Sequence, residues 1–149
     1  MKKMLAASIA CIGLAGPVAP ASAGLLSSTG AVIAILDGEL FVGTAEGNYD
    51  GAGTLSIHSQ KNAGLTCSGK FTSSAELGGK GKLACSDGSS ATFTFKRLSI
   101  YKGHGTGRLS RGSMSFAYGL SAEEAAPYLK LPKGKKLAHS GADLKLVNL

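Results

Sequence analysis

The chain has 149 residues with a formal net charge of +7, and it contains 22 glycines and no tryptophan. This length fits one domain that can bury a real core. Helix-forming stretches are scarce, while short runs of Thr, Ser, Phe and Leu between glycines are common. The composition therefore argues against a helical protein and predicts many short strands joined by tight turns.

Residues 1–23 have the three parts of a secretory signal. Lys2 and Lys3 supply positive charge, residues 4–16 are apolar and uncharged, and residues 21–23 read Ala-Ser-Ala, an A-x-A cleavage site. The apolar run is shorter than the about 20 residues that a membrane helix needs. We therefore predict a cleaved signal helix and export to the periplasm or the extracellular medium.

The remainder, 24–149, is predicted to be a single β-rich domain with no transmembrane segment. Its strand core is placed at about 31–120, and a helix with a basic tail at 121–149. A lipid anchor through Cys11 is the alternative to cleavage after residue 23. The usual leucine three positions before such a cysteine is absent, and that cleavage would leave a truncated signal.

Charge is unevenly distributed along the mature chain. Loss of the two N-terminal lysines lowers the net charge from +7 to +5, with −2 over 24–95 and +7 over 96–149. An exported protein rarely meets nucleic acid, so we expect anionic lipid, polysaccharide or cell-wall phosphate as partners. A solvated basic face that only aids solubility is the alternative. Oligomeric state stays open.

Two cysteines survive processing, Cys67 and Cys85. An even number in an oxidising compartment predicts one disulfide, which would close a loop of about 19 residues and contribute about 3 kcal/mol. Leu65, Cys67 and Phe71 share one strand parity, and so do Leu83 and Cys85. Both sulfurs are therefore expected on apolar strand faces. Two sulfurs are too few for a structural zinc site.

The pattern G-x-G-x-L occurs three times, at 51–55, 79–83 and 105–109. We interpret each unit as a hairpin in which the first glycine supplies a positive φ at the turn. The second glycine permits close backbone approach or a bulge. The predicted turn glycines are Gly51, Gly53, Gly79, Gly81, Gly105 and Gly107.

The predicted fold is all-β, an antiparallel meander of seven or eight short strands closed into a small barrel or split into a sandwich. Apolar parity changes within 91–101, which predicts a β-bulge near Lys96 and Arg97. The strand candidates are 31–36, 39–46, 53–59, 64–71, 81–86, 91–101, 106–110 and 113–119.

One short helix is predicted at 122–129. Ser121 and Glu124 have the spacing of a capping box, and Pro127 limits the length. A basic loop follows at 130–136. The end of the chain, 143–149, alternates well enough for a final strand or a docked tail.

The G-x-G-x-L steps, Cys-Ser-Asp-Gly at 85–88 and Thr-Phe-Thr-Phe at 92–95 resemble a group of small, glycine-rich exported bacterial proteins. The resemblance covers about 39–132 and implies many strands, no assigned activity and no catalytic residues. A weaker similarity is to MORN repeats, which are also glycine-punctuated hairpins. Here the spacing is longer, and the recurrent tyrosine-x-glycine start of those repeats is missing.

No catalytic constellation is recognised. His58, His104 and His139 lack metal-ligand spacing, and no G-x-S-x-G elbow supports a nucleophilic serine. We therefore predict no metal, no cofactor and no enzymatic activity, with a hydrolase as the least favoured function.

The candidate site is electrostatic, and its expected role is a non-enzymatic binding or structural one in the bacterial envelope. Arginine and tyrosine together suit phosphate or sugar. Scattered surface charge is the alternative interpretation of these cations. An alternative function is a barrel that binds an apolar ligand, which requires an internal cavity of a few hundred Å³. The candidate anion-binding residues are Lys96, Arg97, Lys102, His104, Arg108 and Arg111.

Overall fold

The computed structural model describes residues 27–74 and 78–149. The predicted signal peptide at 1–23 lies outside the described residues. What is described forms a closed eight-stranded barrel, one short helix and a separate two-stranded sheet. None of the described helices combines the length and apolarity that crossing a membrane requires.

The barrel strands follow chain order, and each pairs antiparallel with the next. The first strand closes the barrel by pairing with the eighth, from Val32 opposite Tyr118 to Leu36 opposite Met114. The predicted antiparallel meander is confirmed, and it is a barrel and not a sandwich. The strands are β1 (Ser27–Leu36), β2 (Glu39–Asn48), β3 (Ala52–Ser59), β4 (Thr66–Ser74), β5 (Gly78–Cys85), β6 (Ser90–Arg97), β7 (Gly103–Leu109) and β8 (Gly112–Tyr118).

Alternate residues of the strands fill the interior with aromatic and aliphatic side chains. Phe93 and Phe95 of β6 point inward, and Phe116 of β8 meets both of them. The Phe93 and Phe116 rings pack edge to face with centroids 5.2 Å apart. Because successive residues of a strand face opposite sides, Thr92 and Thr94 between the phenylalanines point outward and are exposed.

The G-x-G pairs correct the predicted positions of the turn glycines. Only Gly51 lies in a turn and has a positive φ, of 88°. The other five, Gly53, Gly79, Gly81, Gly105 and Gly107, lie inside strands.

Two glycines two residues apart share one strand face, and here that face is the barrel interior. A Cβ at Gly105 would lie only 2.6 Å from Phe116 Cζ. A Cβ at Gly79 would lie 2.9 Å from Phe95 Cζ. A narrow barrel has no room for a side chain at every inward position, so rings from neighbouring strands cover the glycines. The predicted close approach is therefore correct, but its partner is an aromatic ring as well as backbone.

The predicted disulfide is present. Cys67 and Cys85 are register partners on β4 and β5, and their sulfurs are 2.01 Å apart. Both face the interior, as strand parity predicts, and Cys67 is almost fully buried. The bridge fastens β4 to β5 close to the barrel end that carries the Asp87-Gly88 turn.

The predicted bulge near Lys96 and Arg97 is wrong. The ladder between β6 and β7 runs without interruption to Arg97, which pairs with Gly103. Residues 98–102 form a loop in which Leu98 and Ile100 are exposed. The parity change therefore marks the end of the strand, because apolar residues in a loop need not obey strand alternation.

The C-terminal segment packs against the outside of the barrel. It contains α1 (Ala122–Ala125), a 3-10 turn at Ala126–Tyr128, and the hairpin of β9 (Lys135–Ser140) with β10 (Asp143–Asn148). The capping box predicted between Ser121 and Glu124 is present.

A second apolar core lies beneath this segment. Ile33, Ile35 and Leu40 point out of the barrel wall and pack with Leu129 and Leu144 of the C-terminal segment. The end of the chain is therefore both a final strand and a docked segment, which combines the two alternatives that the sequence left open.

Candidate functional site

The predicted basic cluster is spread along the β6–β7 hairpin and is not gathered at one end. Lys96, Arg97 and Lys102 lie at the end that holds the 98–102 loop, whereas Arg108 and Arg111 lie near the opposite end. Lys96 and Arg108 point outward and are exposed, while the side chain of Arg97 lines the interior. The six residues therefore do not form one face.

Lys102, Arg111 and His104 each contact a charged or aromatic side chain elsewhere in the protein. Lys102 forms an ion pair with Glu124 at 3.6 Å, and Arg111 pairs with Asp87 at 3.0 Å. The ring of His104 stacks on that of Tyr128, with centroids 4.0 Å apart. Lys102 and His104 thus hold the C-terminal segment against the hairpin.

The two carboxylates in these pairs are also hydrogen-bonded locally. The hydroxyl and N–H of Ser89, helped by Arg111, hold the pKa of Asp87 below its ordinary value. The backbone N–H of Ser121, followed by the charge of Lys102, does the same for the pKa of Glu124. Both acids stay ionised at neutral pH, so neither is a candidate for a general acid.

A different basic surface emerges on the outer face of β4 to β7, which we call the basic wall. Lys70, Lys82, Thr92 and Arg108 stand opposite one another in successive cross-strand pairs. All four side chains are exposed. With strands about 4.8 Å apart, the row extends over about 14 Å. Lys80 lies in the adjacent row.

The basic wall has no acidic residue of its own. None of the described strands β4, β5, β6 and β7 contains Asp or Glu. The row meets its first carboxylate at Glu46 on β2, two strands away from Lys70. Within the described residues, the ion pairs found involve none of the wall cations.

Sequence reasoning missed Lys70, Lys80 and Lys82, because they belong to the half of the chain with a negative net charge. The signal that finds them is strand parity. Lysines and threonines occupy the even-numbered positions of these strands, whereas the core residues of the same strands are odd-numbered.

The other candidate site is the barrel end that we call the mouth, formed where β6 runs into the 98–102 loop. It contains a cavity of about 70 Å³ whose lining includes Arg97, Tyr118, Phe71 and Phe95. This volume is well below the few hundred Å³ of a typical small-molecule site. Phenylalanine rings fill the described interior, so the part of the barrel that the structure describes has no room to enclose a ligand of that size.

Arg97 is the charged group of the mouth. Its Nη2 donates a hydrogen bond to Ser73 Oγ at 2.7 Å, and its Nε is buried without a hydrogen-bond partner. No ion pair of Arg97 is found among the described residues. Burial raises the pKa of the neighbouring Tyr118, and the positive charge of Arg97 opposes that rise.

Within residues 27–74 and 78–149, no three His, Cys, Asp or Glu side chains are grouped as a metal site would require. No family model matches the chain, and no significant match is found among the curated proteins or the solved structures. The function must therefore be argued from the basic wall and the mouth.

Proposed function

We propose that the protein is an exported, non-enzymatic binding domain whose basic wall binds an anionic polymer of the bacterial envelope. The observation that carries the proposal is the row of Lys70, Lys82 and Arg108 across neighbouring strands that contain no acid. A phosphate or carboxylate polymer is the partner that this charge pattern fits.

The register makes an external anion favourable. Lys70 and Lys82 are direct cross-strand partners, with Cβ atoms about 5 Å apart, and like charges in that position destabilise a sheet. A bound anion between the two ammonium groups would remove this repulsion. The wall therefore gains stability when it is occupied, which couples binding to folding.

The hydroxyl groups on the wall favour a polymer over a bilayer. Thr92, Thr94 and Thr106 lie between the cations and can exchange hydrogen bonds with sugar hydroxyls or phosphate oxygens. Among the described residues of β4 to β7, no large hydrophobic side chain is exposed. Such a surface suits contact with a hydrated chain, because nothing on it would insert among lipid tails.

Export is supported by the predicted signal at 1–23 and by the disulfide. Disulfides persist in oxidising compartments such as the periplasm and the extracellular medium. In the cytosol, cysteine thiols are kept reduced. The resemblance to small exported glycine-rich proteins agrees with this location, and it stays a prediction.

The test is co-sedimentation of the purified protein with cell-wall material bearing anionic polymer, at low and moderate salt. The triple variant K70Q/K82Q/R108Q removes three charges from the wall. We expect at least about tenfold weaker binding, since each cation near an anionic surface contributes about 1 kcal/mol. The matched control K130Q/K133Q/K136Q removes three charges from the basic loop and should bind as the wild type does.

Binding that does not respond to salt, or equal losses in both triple variants, would overturn the proposal. Liposomes of anionic and neutral lipid form the second arm. Tighter binding to anionic liposomes than to the polymer would replace the polymer by a lipid surface as the target.

A further inference from the structure

Among the described residues at the two barrel ends, large apolar side chains are exposed only at the mouth. Tyr49 lies in the β2–β3 turn, and Leu98, Ile100 and Tyr101 lie in the β6–β7 loop. Their exposed fractions run from 51% for Leu98 to 86% for Tyr49. The described loops at the opposite end expose no large hydrophobic side chain. A cluster of exposed apolar side chains at one end of a barrel marks an interaction site.

The mouth also holds a cation that has spare hydrogen-bonding capacity. Arg97 uses Nη2 on Ser73 Oγ, while its buried Nε has no partner. A buried donor without a partner loses the free energy of its lost hydration. An anion placed in the mouth would restore both the hydrogen bond and the charge balance.

We propose that the mouth binds an amphipathic anion, a carboxylate or phosphate head on Arg97 joined to an acyl chain that lies on Ile100 and Tyr101. Both of these apolar residues line the same cavity as Arg97. The cavity of about 70 Å³ accommodates the head and the first atoms of the chain. The rest of the chain lies across the exposed rim and covers it.

The site is separate from the basic wall. The side chain of Arg97 lines the interior, whereas its neighbour Lys96 and the wall residue Arg108 face outward. A ligand in the mouth is therefore recognised by one cation and an apolar rim. A polymer on the wall would be recognised by several cations and hydroxyl groups, so each site can be tested without the other.

The absence of tryptophan makes tyrosine fluorescence a direct probe, since Tyr101 and Tyr118 both line the mouth. The purified protein is titrated with monomeric dodecanoate, dodecyl phosphate, uncharged dodecanol and inorganic phosphate. We expect the two anionic amphiphiles to bind at least about tenfold more tightly than dodecanol, which cannot make a charge-assisted hydrogen bond to Arg97. We expect the same margin over inorganic phosphate, which has no chain to cover the apolar rim.

Variants separate the head from the chain. Arg97→Gln should weaken dodecanoate binding at least about tenfold, while Arg108→Gln, which removes an equal charge from the wall, should leave it unchanged. Ile100→Ser should weaken dodecanoate binding several-fold. The control Leu149→Ser removes an even more exposed apolar side chain at the C-terminus and should have no effect.

Equal affinity for dodecanol and dodecanoate would overturn the role of Arg97. Equal affinity for inorganic phosphate and dodecanoate would overturn the role of the apolar rim. If Arg97→Gln does not fold, the ligand comparison and Ile100→Ser still decide the proposal. Dodecanoate and dodecyl phosphate distinguish a fatty acid from a phosphate lipid as the source. The wall triple variant should bind dodecanoate normally, whatever its effect on polymer binding.

Discussion

The two sides of the barrel wall have similar interiors and opposite exteriors. On β8, β1 and β2 the outward side chains include Ile33, Ile35 and Leu40, and the C-terminal segment covers them. On β4 to β7 the outward side chains are mainly threonines, serines and cations, and they are exposed. The inward side chains of both regions belong to one core. Whether a segment covers a strand therefore decides which residues occupy its outer face, whereas closure of the barrel decides which residues occupy its inner face.

This difference is visible in the residue patterns. Residues 31–36, Ala-Val-Ile-Ala-Ile-Leu, are apolar without alternation, because β1 is buried on both faces. Residues 90–97, Ser-Ala-Thr-Phe-Thr-Phe-Lys-Arg, alternate as far as Lys96, because β6 is buried on one face only. A continuous apolar run thus indicates a strand whose outer face is covered, and an alternating run indicates a strand whose outer face is exposed. We call β8, β1 and β2 the covered side of the barrel and β4 to β7 the bare side.

The largest expected effect is on the covered side. Ile35 is 2% exposed although it points away from the barrel interior. Ile35→Ala should lower the free energy of unfolding by about 2–5 kcal/mol, the usual cost of a buried Ile→Ala change. On the bare side, Thr94→Ala should change it by less than about 0.5 kcal/mol. Denaturant midpoints measure both changes, and similar values would remove the contrast between the two sides.

The second effect concerns how the bare side is held. It lacks a covering segment but has the Cys67–Cys85 bridge between β4 and β5. Reduction of the bridge should lower the free energy of unfolding by about 3 kcal/mol, since the cysteines are 18 positions apart. Thermal unfolding with and without reductant measures the loss. Free thiol in denatured, unreduced protein at Cys67 or Cys85 would contradict the bridge itself.

The third effect tests how tightly the interior of the bare side is filled. A Cβ at Gly81 would lie 2.6 Å from the carbonyl oxygen of Lys70, and it would overlap the ring of Phe93. Gly81→Ala should therefore cost about 1–3 kcal/mol, the range for an overfilled core. At Gly47 a Cβ would meet only Phe71 Cζ, at 3.9 Å. Gly47→Ala should be tolerated, and an equal cost at both positions would show that barrel filling is not the cause.

The smallest effect has the opposite sign. Lys70→Thr should raise the free energy of unfolding by about 0.2–1 kcal/mol, because it removes the repulsion from Lys82. The gain should shrink as salt screens the pair. Lys96→Thr is the control, since Lys96 faces His104 on β7 and not a lysine or arginine. A loss of stability in Lys70→Thr at low salt would mean that the wall cations do not repel one another.

Strand parity predicts much of this fold, because the pleat imposes it locally. It places Cys67, Cys85, Met114 and Phe116 inside, and all four belong to the barrel core. Parity does not reveal where a strand ends, so it wrongly extends β6 to the exposed Ile100. Chain segments alone do not reveal whether a glycine lies at a turn or under an aromatic ring.

The candidate site was harder to predict than the fold. Arg97 and Arg108 are close in sequence, but one faces the cavity and the other faces outward. Lys82 and Arg108 are far apart in sequence and lie in one cross-strand row. The sequence interval between two cations therefore says little about their distance in a barrel. Their register and parity decide whether they act together.

Closure of β1 on β8 has a consequence for how the chain reaches this structure. During synthesis β1 emerges first of the barrel strands, and its second neighbour, β8, emerges last. Until then, the free edge of a strongly apolar strand is available for pairing with other chains. Contacts of such long sequence separation also slow folding. The newly made chain is thus most prone to aggregation along β1 until residues 112–118 arrive to pair with it.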